Sequence, residues 1–401
     1  MEEKCFIKLQ LHGAFNGRLR ANEVYAPLFN MLISQKIWAP EVAKVDTLVD
    51  KARVDGSMYG DTKLYYSSDA YSSRKWLGDA EAANLLSLHR PKAPECQSIV
   101  LDVFRIVEIT TDAYLSKRAW MDQGAFSAFN NTMIAWMSVT KQIYDETTYN
   151  AYIGTTITNV GKQLQSLTIN LDTTLEGSAR VQAQTIAERL ANIITDLTVD
   201  ERRDYNDYGH IRRYSKSDLQ IIWNASWVNK ITKLDLPTIF HKDIMESMSE
   251  MLPAKYFGTV ITSDNVSTYS DSTPAAGKPI DSDDHTYVPG SNNANGMICA
   301  IEEMELTVSD ENYHMFPGEE LPAGAVLYTS ASDNLYGKIY IVDPKVICKV
   351  TIKGSVPFMS AFQTETNFFN PKSLTETKFL IWGHNTLEYL KNFPFVTLLE
   401  A

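Results

Sequence analysis

The sequence predicts a protein of the α+β class, in which helices and strands occupy different parts of a 401-residue chain. Two segments near the middle keep a helical period, whereas most of the last third is a series of short strand-like segments. Before them, a stretch from about Gly56 to Gln97 keeps neither period. The length indicates two domains, and the apolar fraction of 44% is enough for a substantial core.

The irregular stretch is predicted to be a protruding loop that is closed at its base. The sequence from Ile99 to Ile109 has the two-residue period of a strand, with a bulge expected before Ile106, so the chain returns towards the place where it left. Disordered segments are usually poor in aromatics. This one contains five aromatic residues that need a surface to pack against: Tyr59, Tyr65, Tyr66, Tyr71 and Trp76. Inside it, "DAEAANLLSLHR" indicates a short helix.

A long helix is predicted from Asp122, a suitable N-cap, to Glu146. Such a helix is roughly 36 Å long. Its apolar positions recur at helical spacing, with two alternatives open at two of the turns: Phe126, Phe129, Met133, Trp136 or Met137, and Ile143 or Tyr144. We expect Phe126, Phe129, Met133 and Ile143 to face the core. A second helix is predicted over "SARVQAQTIAERLANIITDL".

The second half begins with a buried-strand signal from Leu219 to Trp223 and a helix after Pro237. The segment from Thr262 to Gly296 contains hardly any core residue and is predicted to be a surface loop. Five further segments predict strands: "GAVLYTS", "GKIYIVD", "KVICKVTI", "TKFLIWG" and "FPFVTLL".

The net charge of −12 is concentrated in one part of the chain. From Asp264 to Glu320 there are twelve acidic residues and a single Lys278, a net charge of −11, which leaves −1 for the remainder. Such a block repels phosphate and disfavours tight nucleic-acid binding there. A solvated outer surface is the expected location.

The sequence indicates a protein made in the cytoplasm that does not enter a membrane. Its start, "MEEKCFIKLQLHG", has no apolar region typical of a signal peptide, and no run of eighteen apolar residues occurs. The cysteines fit no zinc or redox spacing, which favours reduced thiols: Cys5, Cys96, Cys299 and Cys348.

No motif of the sequence supports a catalytic site. "TPAAGKPI" lacks the first glycine and the hydroxyl residue of a phosphate-binding loop. "DSDDH", from Asp281 to His285, offers carboxylates and an imidazole, but five adjacent loop residues rarely close around a metal ion. The arginine pairs in "ERRDYNDYGHIRRY" have two interpretations. They either contact phosphate or the carboxylates of a neighbouring subunit, or they pair internally with the interleaved acids. No catalytic residue, cofactor or metal ligand is therefore predicted.

The order of these parts resembles the major capsid protein of tailed bacteriophages, which has the Hong Kong 97-like fold. At the sequence level, four pieces are similar to the capsid proteins of small short-tailed phages of Gram-positive hosts: "LGDAEAANLLSL", "FSAFNNTMIAWMSVTKQIYDETTYNAYI", "RRYSKSDLQIIWNASWVNKI", and "YIVDPKVICKV" followed by "NPKSLTETKFLIWG". The chain departs from some relatives of this fold in two ways. No additional C-terminal immunoglobulin-like module is expected, and no lysine–asparagine crosslinking pair is assigned.

The resemblance implies a division into known parts. Residues 1–55 are an N-terminal arm and 56–98 an extended loop. Residues 99–200 and 345–401 form a peripheral domain with a spine helix at 122–146, and 201–344 form an axial domain with a surface loop at 262–296. It also implies that the aromatic-rich loop lies across a neighbouring subunit, where Tyr59, Tyr65, Tyr66, Tyr71 and Trp76 are the candidate contacts.

The function that the resemblance implies is self-assembly into the icosahedral head shell that encloses double-stranded DNA. The expected partners are other copies of the chain in hexamers and pentamers, scaffold and portal proteins, and packaged DNA through weak non-specific contacts. The expected location is the virion, after synthesis in the host cytoplasm. Two alternatives remain open: another structural or binding protein of the virion, and an enzyme whose site the sequence does not reveal.

Overall fold

A computed structural model describes residues 47–56, 61–73, 75, 88, 90–112, 123–156, 166–169, 178–199, 203–232, 250–262, 297–325 and 335–400, which are called the described residues below. The chain divides into two compact units. The described residues of the smaller unit come from Phe104–Ile143 and Phe362–Trp382, and the larger unit holds the others.

The described residues include α-helices as follows: α1 Leu48–Ala52, α2 Gln123–Gly154, α3 Ser178–Thr198 and α4 Ala225–Thr232. The strands in the first half are β1 Arg53–Asp55, β2 Thr62–Ser67, β3 Glu95–Asp112, β4 Thr155–Thr156, β5 Ser166–Ile169 and β6 Leu219–Asn224. Those that follow are β7 Glu250–Leu252, β8 Gly258–Val260, β9 Ile298–Ala300, β10 Met304–Val308, β11 Glu311–Met315, β12 Ile339–Val342, β13 Val346–Ile352, β14 Phe358–Asn370, β15 Thr375–Asn385 and β16 Phe395–Glu400.

The strands form four sheets. The orders are β1-β14-β15-β3-β2, β4-β8-β12-β9, β5-β16-β13-β6-β7 and the two-stranded β10-β11. Pairing is mixed, since β13 is antiparallel to both β6 and β16, whereas β5 and β7 join in parallel at the two edges. The predicted strands "GKIYIVD", "KVICKVTI", "TKFLIWG" and "FPFVTLL" are confirmed as β12, β13, β15 and β16.

The core of the larger unit is the sheet centred on β13, which is covered on both faces. Ile221 and Trp223 of β6 pack in one apolar cluster with α3, whereas Ile222 between them packs in another with the end of α2. All seven residues of β13 are buried, as expected for a strand without a solvent face. The buried residues of α3 recur at helical spacing: Ala183, Ile186, Leu190, Ile193 and Leu197. At a position such as Leu190, truncation to alanine costs about 2–5 kcal/mol.

The helix α2 extends further than the sequence predicted. It ends at Gly154 instead of Glu146, so that its 32 residues span roughly 48 Å. The additional turns contribute Tyr149 and Ile153 to the core. Gly154 then lies against the chain at Tyr256, where a Cβ would stand 1.9 Å from the carbonyl oxygen, so only glycine fits this close approach.

The two alternatives left open along α2 are resolved by burial. Met137 and Tyr144 are buried, whereas Ile143 is 37% exposed, so the prediction that Ile143 faces the core is wrong. The helical period places both members of each adjacent pair near the apolar face, and only the packing partner selects between them. The side chains of Phe126, Phe129 and Met133 lie outside the described part of the structure.

The strand β3 keeps one phase over its whole length. Ile99 and Leu101 are buried, Val107 and Ile109 are partly buried, and Ile106 is exposed, so the inward positions are the odd ones throughout. The phase change expected before Ile106 is therefore not observed. Several other predictions lie outside the described residues: the arm before Thr47, the loop helix "DAEAANLLSLHR", the helix after Pro237, most of the loop 262–296 and most of the strand "GAVLYTS".

A lysine lies in the middle of this core. Lys349 of β13 is fully buried, donates a hydrogen bond from Nζ to the carbonyl oxygen of Thr155, and lies 4.2 Å from the ring centroid of Phe395. Burial lowers the pKa of its ammonium group well below the usual value of 10.5. Folding therefore disfavours the charged form of this side chain relative to the unfolded chain.

We expect Lys349→Met to remove a pH dependence of stability. Because the pKa of Lys349 is lower in the folded than in the unfolded chain, the wild type gains unfolding free energy as pH rises towards 10.5. The advantage of the methionine variant should thus shrink from pH 7 to pH 10, by at most about 1.4 kcal/mol per pH unit. Chemical denaturation at several pH values measures this, with the exposed Lys353→Met as control. Parallel curves for wild type and Lys349→Met would mean that Lys349 keeps its proton on folding.

Candidate intersubunit surface

The base of the extended loop is closed by a two-stranded antiparallel ribbon. The strand β2 pairs with the start of β3, in a register that runs from Thr62 opposite Val100 to Ser67 opposite Glu95. This confirms the closure predicted from the sequence. It also corrects the expectation that the aromatic-rich loop as a whole lies across a neighbouring subunit, because its β2 segment packs in its own subunit.

Ser67, the last residue of β2, is held by three polar side chains. Its Oγ donates to Asn392 Oδ1 at 2.7 Å, accepts from Arg212 Nη2 at 2.9 Å, and lies 2.9 Å from His210 Nδ1. Arg212 reaches further, to the carbonyl oxygen of Ser68 at 2.8 Å. Burial and the charge of Arg212 lower the pKa of His210, which favours the neutral imidazole.

Asp69 attaches the loop to the segment 203–212 with both carboxylate oxygens. Oδ1 accepts from the backbone N–H groups of Ile211 at 2.9 Å and Ala70 at 2.8 Å, and Oδ2 accepts from Arg203 Nη1 at 2.6 Å. The Ile211 amide and the Arg203 guanidinium hold the pKa of this carboxyl well below its usual range. Asp69 is therefore ionised at neutral pH and joined to its partners by charge-assisted hydrogen bonds.

The residues that receive the loop are themselves fixed. The side-chain amide of Asn206, which is fully buried, accepts from the backbone N–H of His210 at 2.8 Å and donates to its carbonyl oxygen at 2.7 Å. On the other strand of the ribbon, Gln97 donates to the carbonyl oxygen of Tyr389 and accepts from the N–H of Lys391. We call this set the loop clamp: Ser67, Asp69, Gln97, Arg203, Asn206, His210, Arg212 and Asn392.

The three described arginines of the arginine-rich segment make contacts within the subunit, and Arg202 lies outside the described residues. Arg203 pairs with Asp69 of the loop, and Arg212 with Ser67, Ser68 and Asn392. Arg213 Nε donates to the carbonyl oxygen of Thr198 at the end of α3. The interleaved acids were the obvious candidates in the sequence, and only the tertiary fold brings Asp69 to Arg203.

Of the five aromatic candidates, three are described. Tyr65 is partly buried on the inner face of the ribbon, and burial raises the pKa of its hydroxyl. Tyr66 and Tyr71 are 66% and 63% exposed. Tyr59 and Trp76 lie outside the described residues. The role of all five as contacts with a neighbour remains a prediction.

Three apolar side chains are exposed on the outer face of the ribbon, next to the exposed Thr62, Cys96 and Ser98. Leu64 and Tyr66 of β2 are accompanied on β3 by Val100, and these side chains alternate with the inward-facing ones. Sequence reasoning selected only aromatic residues and missed Leu64 and Val100. Their exposure follows from the alternation of inward and outward side chains, which is apparent only when the pairing of β2 with β3 is known. Contiguous exposed apolar side chains are typical of surfaces that take part in association.

A second exposed apolar group lies at the turn between β14 and β15. Phe368, Phe369 and Leu374 are 58%, 51% and 43% exposed. The turn is organised by Asn370, whose Oδ1 accepts from the N–H of Lys372, and by a contact between Ser373 and Thr375. This turn lies in the segment "NPKSLTETKFLIWG", and the exposure of the adjoining aromatics was not predicted from the sequence.

The described residues contain no arrangement suited to catalysis that we recognise. Ser67 and His210 have the spacing of a nucleophile and its base. However, both are buried, and Ser67 Oγ uses its proton towards Asn392 and its lone pairs towards Arg212 and His210, so it is not available for attack. Among the described residues, no three His, Cys, Asp or Glu side chains are grouped to hold a metal ion. None of the helices in the described ranges has the length and apolarity of a membrane-spanning helix.

The acidic block is described from Met297 onwards, in and around the β10–β11 hairpin. Glu305 is 87% exposed in its side chain and faces His314, whose Nε2 lies 2.6 Å from Glu303. Glu302 pairs with Lys338 at 3.2 Å. The other side of β10 packs Met304, Leu306 and Val308 on an apolar cluster, so the hairpin presents its charged face to solvent.

Comparison with solved structures connects this architecture with phage particles. A chain of the capsid structure of Staphylococcus phage Andhra matches 92% of this chain and 89% of its own length, with a TM-score of 0.55 and 10% identity. A chain in the structure of head fiber and inner core protein gp22 of native bacteriophage P68 matches 91% and 89%, with a TM-score of 0.54 and 11% identity.

The chain has a phage capsid fold. The expected α+β fold class, the Hong Kong 97-like fold, is thereby confirmed. No family model matches the sequence, and no curated protein matches it either. At about one residue in ten identical, the capsid fold is recognisable from its three-dimensional arrangement and from the order of its parts.

Proposed function

We propose that this chain is a major capsid protein of a tailed phage, and that its copies assemble into the icosahedral head shell around double-stranded DNA. The observation that carries the proposal is the match over 92% of this chain and 89% of a chain from a phage capsid structure. The exposed apolar face of Leu64, Tyr66 and Val100 supports self-association, because such a face is normally covered in a complex. The chain acts as a structural protein, not as an enzyme.

Within this proposal the parts take the roles that the resemblance implies. Residues 56–98 are the extended loop that lies on a neighbour, with Tyr65, Tyr66 and Tyr71 among its contacts. The arm is 1–55, the peripheral domain is 99–200 with 345–401, and the axial domain is 201–344. Copies form hexamers and pentamers, with scaffold and portal proteins as further partners, and DNA contacts are weak and non-specific. The protein is made in the host cytoplasm and resides in the virion.

The likeness to a Staphylococcus phage also supports the finer assignment to short-tailed phages of Gram-positive hosts. We further propose that the acidic block from Asp264 to Glu320 faces outwards. Its net charge of −11 is unfavourable beside packed phosphate and favourable as a solvated exterior.

The direct test of the proposed function is the size of the expressed protein. We expect shells in electron micrographs, with or without a co-expressed scaffold protein, and a species far larger than the 45.2 kDa subunit in light scattering. A folded monomer that forms no shell under either condition, alone or with scaffold, would contradict the proposal and favour another virion component or an enzyme.

We expect the double change Leu64→Ser and Tyr66→Ser to impair assembly without unfolding the subunit. Both side chains are exposed in the subunit, and each large apolar side chain buried on a neighbour contributes about 1.5–3 kcal/mol. Shell yield and subunit melting temperature are the two measurements. Val199→Ser, at an exposed apolar residue beyond α3, is the control. Unchanged shell yield in the double variant would place the interface elsewhere.

Limited proteolysis of intact shells tests the outward orientation of the acidic block. We expect cleavage between Ser270 and Asn295 while the shells stay closed, because the composition of that segment is typical of an exposed loop. Protection in shells combined with cleavage of dissociated subunits would show instead that the segment faces inwards or is covered by a neighbour.

A further inference from the structure

The described part of the loop becomes exposed just after Asp69. Every described residue of the excursion beyond this point is exposed on both of its strands: 70–73, 75, 88 and 90–94. At the end of the ribbon where the loop projects, hydrogen bonds to the body of the subunit are made by Ser67, Arg212-bound Ser68 and Asp69 on the outgoing strand, and by Gln97 on the returning one. The direction in which the loop leaves the subunit is therefore set at these positions.

The attachment is polar, and this has a geometric consequence. Apolar packing tolerates small rotations, whereas hydrogen bonds weaken steeply as their angles depart from linearity. Asp69 is bonded from two sides, by the backbone of Ile211 and by the guanidinium of Arg203, so its carboxylate plane is defined by both. A charged acceptor makes these bonds stronger than neutral ones.

The same contacts add little to the stability of the subunit. Arg203 is 51% exposed and Asp69 25% exposed, and ion pairs this accessible contribute little net free energy. The core formed by β6, β13 and α3 is complete without them. The pair of Asp69 and Arg203 is well oriented, contributes little to folding and lies at the base of the projecting loop. Such a pair is suited to fixing the direction of that loop.

We propose that Asp69, held by Arg203 and the Ile211 amide, is a positioning residue for self-association: it fixes the direction of the extended loop before a second copy of the chain binds it. A pre-oriented loop loses less conformational freedom on binding, so its affinity for the neighbour is higher. The part of this proposal that concerns association rests on the proposed function, whereas the orientation of the loop is a property of the single subunit.

The orientation is tested on the subunit by a distance measurement. Spin labels are attached at Leu88→Cys in the loop and Lys353→Cys in the body, with Cys5 and Cys96 replaced by serine. We expect a narrow distance distribution in this background, a broad one in Asp69→Ala and Arg203→Ala, and a narrow one again in Arg203→Lys, which keeps the charge. Asp218→Asn, an exposed carboxylate outside the loop clamp, is the matched control. An unchanged distribution in Asp69→Ala would overturn the proposal.

The effect on association is tested by the lowest concentration at which shells form. We expect this concentration to rise about tenfold in Asp69→Ala, the factor that corresponds to ordering the backbone of about one further residue when the loop binds its neighbour. Leu190→Ala separates positioning from stability, since it should lower the melting temperature yet leave the assembly concentration unchanged below that temperature. An equal assembly defect in Leu190→Ala at matched loss of stability would overturn the positioning role. If the wild type forms no shells at all, the proposed function is wrong. The distance distributions then decide by themselves whether Asp69 orients the loop in the subunit.

Discussion

The larger unit depends on one constraint, the covering of both faces of the sheet centred on β13. This strand has no solvent-facing residue, so each of its neighbours must supply apolar side chains on two sides. On β6 the consequence is visible residue by residue, with Ile221 and Trp223 on the side of α3 and Ile222 on the side of α2. The last turns of α2, the chain around Tyr256 and the strand β16 take their positions from that requirement. Lys349 is also fully buried in this sheet, and its amine donates a hydrogen bond to the carbonyl oxygen of Thr155.

The extended loop is attached by a different kind of interaction. The core is held by apolar contacts, which have no preferred direction and involve many residues. The loop clamp is a set of oriented hydrogen bonds between Ser67, Asp69 and the segment 203–212. The two kinds of interaction serve different ends. A capsid subunit needs a body that stays folded in many environments, and a projecting segment whose direction is defined when it meets another copy. Because the two are separate, the surface that we propose to bind a neighbour, with Leu64 and Tyr66, can be exposed and apolar in the subunit.

Sequence reasoning was most successful for elements whose pattern is local. The helices α2 and α3 and the strands β12, β13, β15 and β16 were all predicted, because their apolar periods are uninterrupted. The end of α2 was missed, since residues 147–153 carry no strong helix signal and are held in the helix by burial of Tyr149 and Ile153. The sequence could not show that Tyr144 is buried and Ile143 exposed either. The two residues are adjacent on the helix, and the elements that pack against the helix decide which of them faces the core.

At the candidate site, the sequence alone identified the tyrosine-rich excursion and its closure, and the order of its parts identified the fold class. It did not identify the loop clamp. Asp69 and Arg203 are 134 positions apart, and Ser67 and Asn392 are 325 apart, so no window of sequence contains both partners. Composition and periodicity are properties of neighbours along the chain, and they determined most of the helices and strands and the position of the acidic block. Which carboxylate meets which guanidinium depends on how distant segments meet, and only the tertiary structure decides that, because a hydrogen bond is specified by a distance and an angle in space.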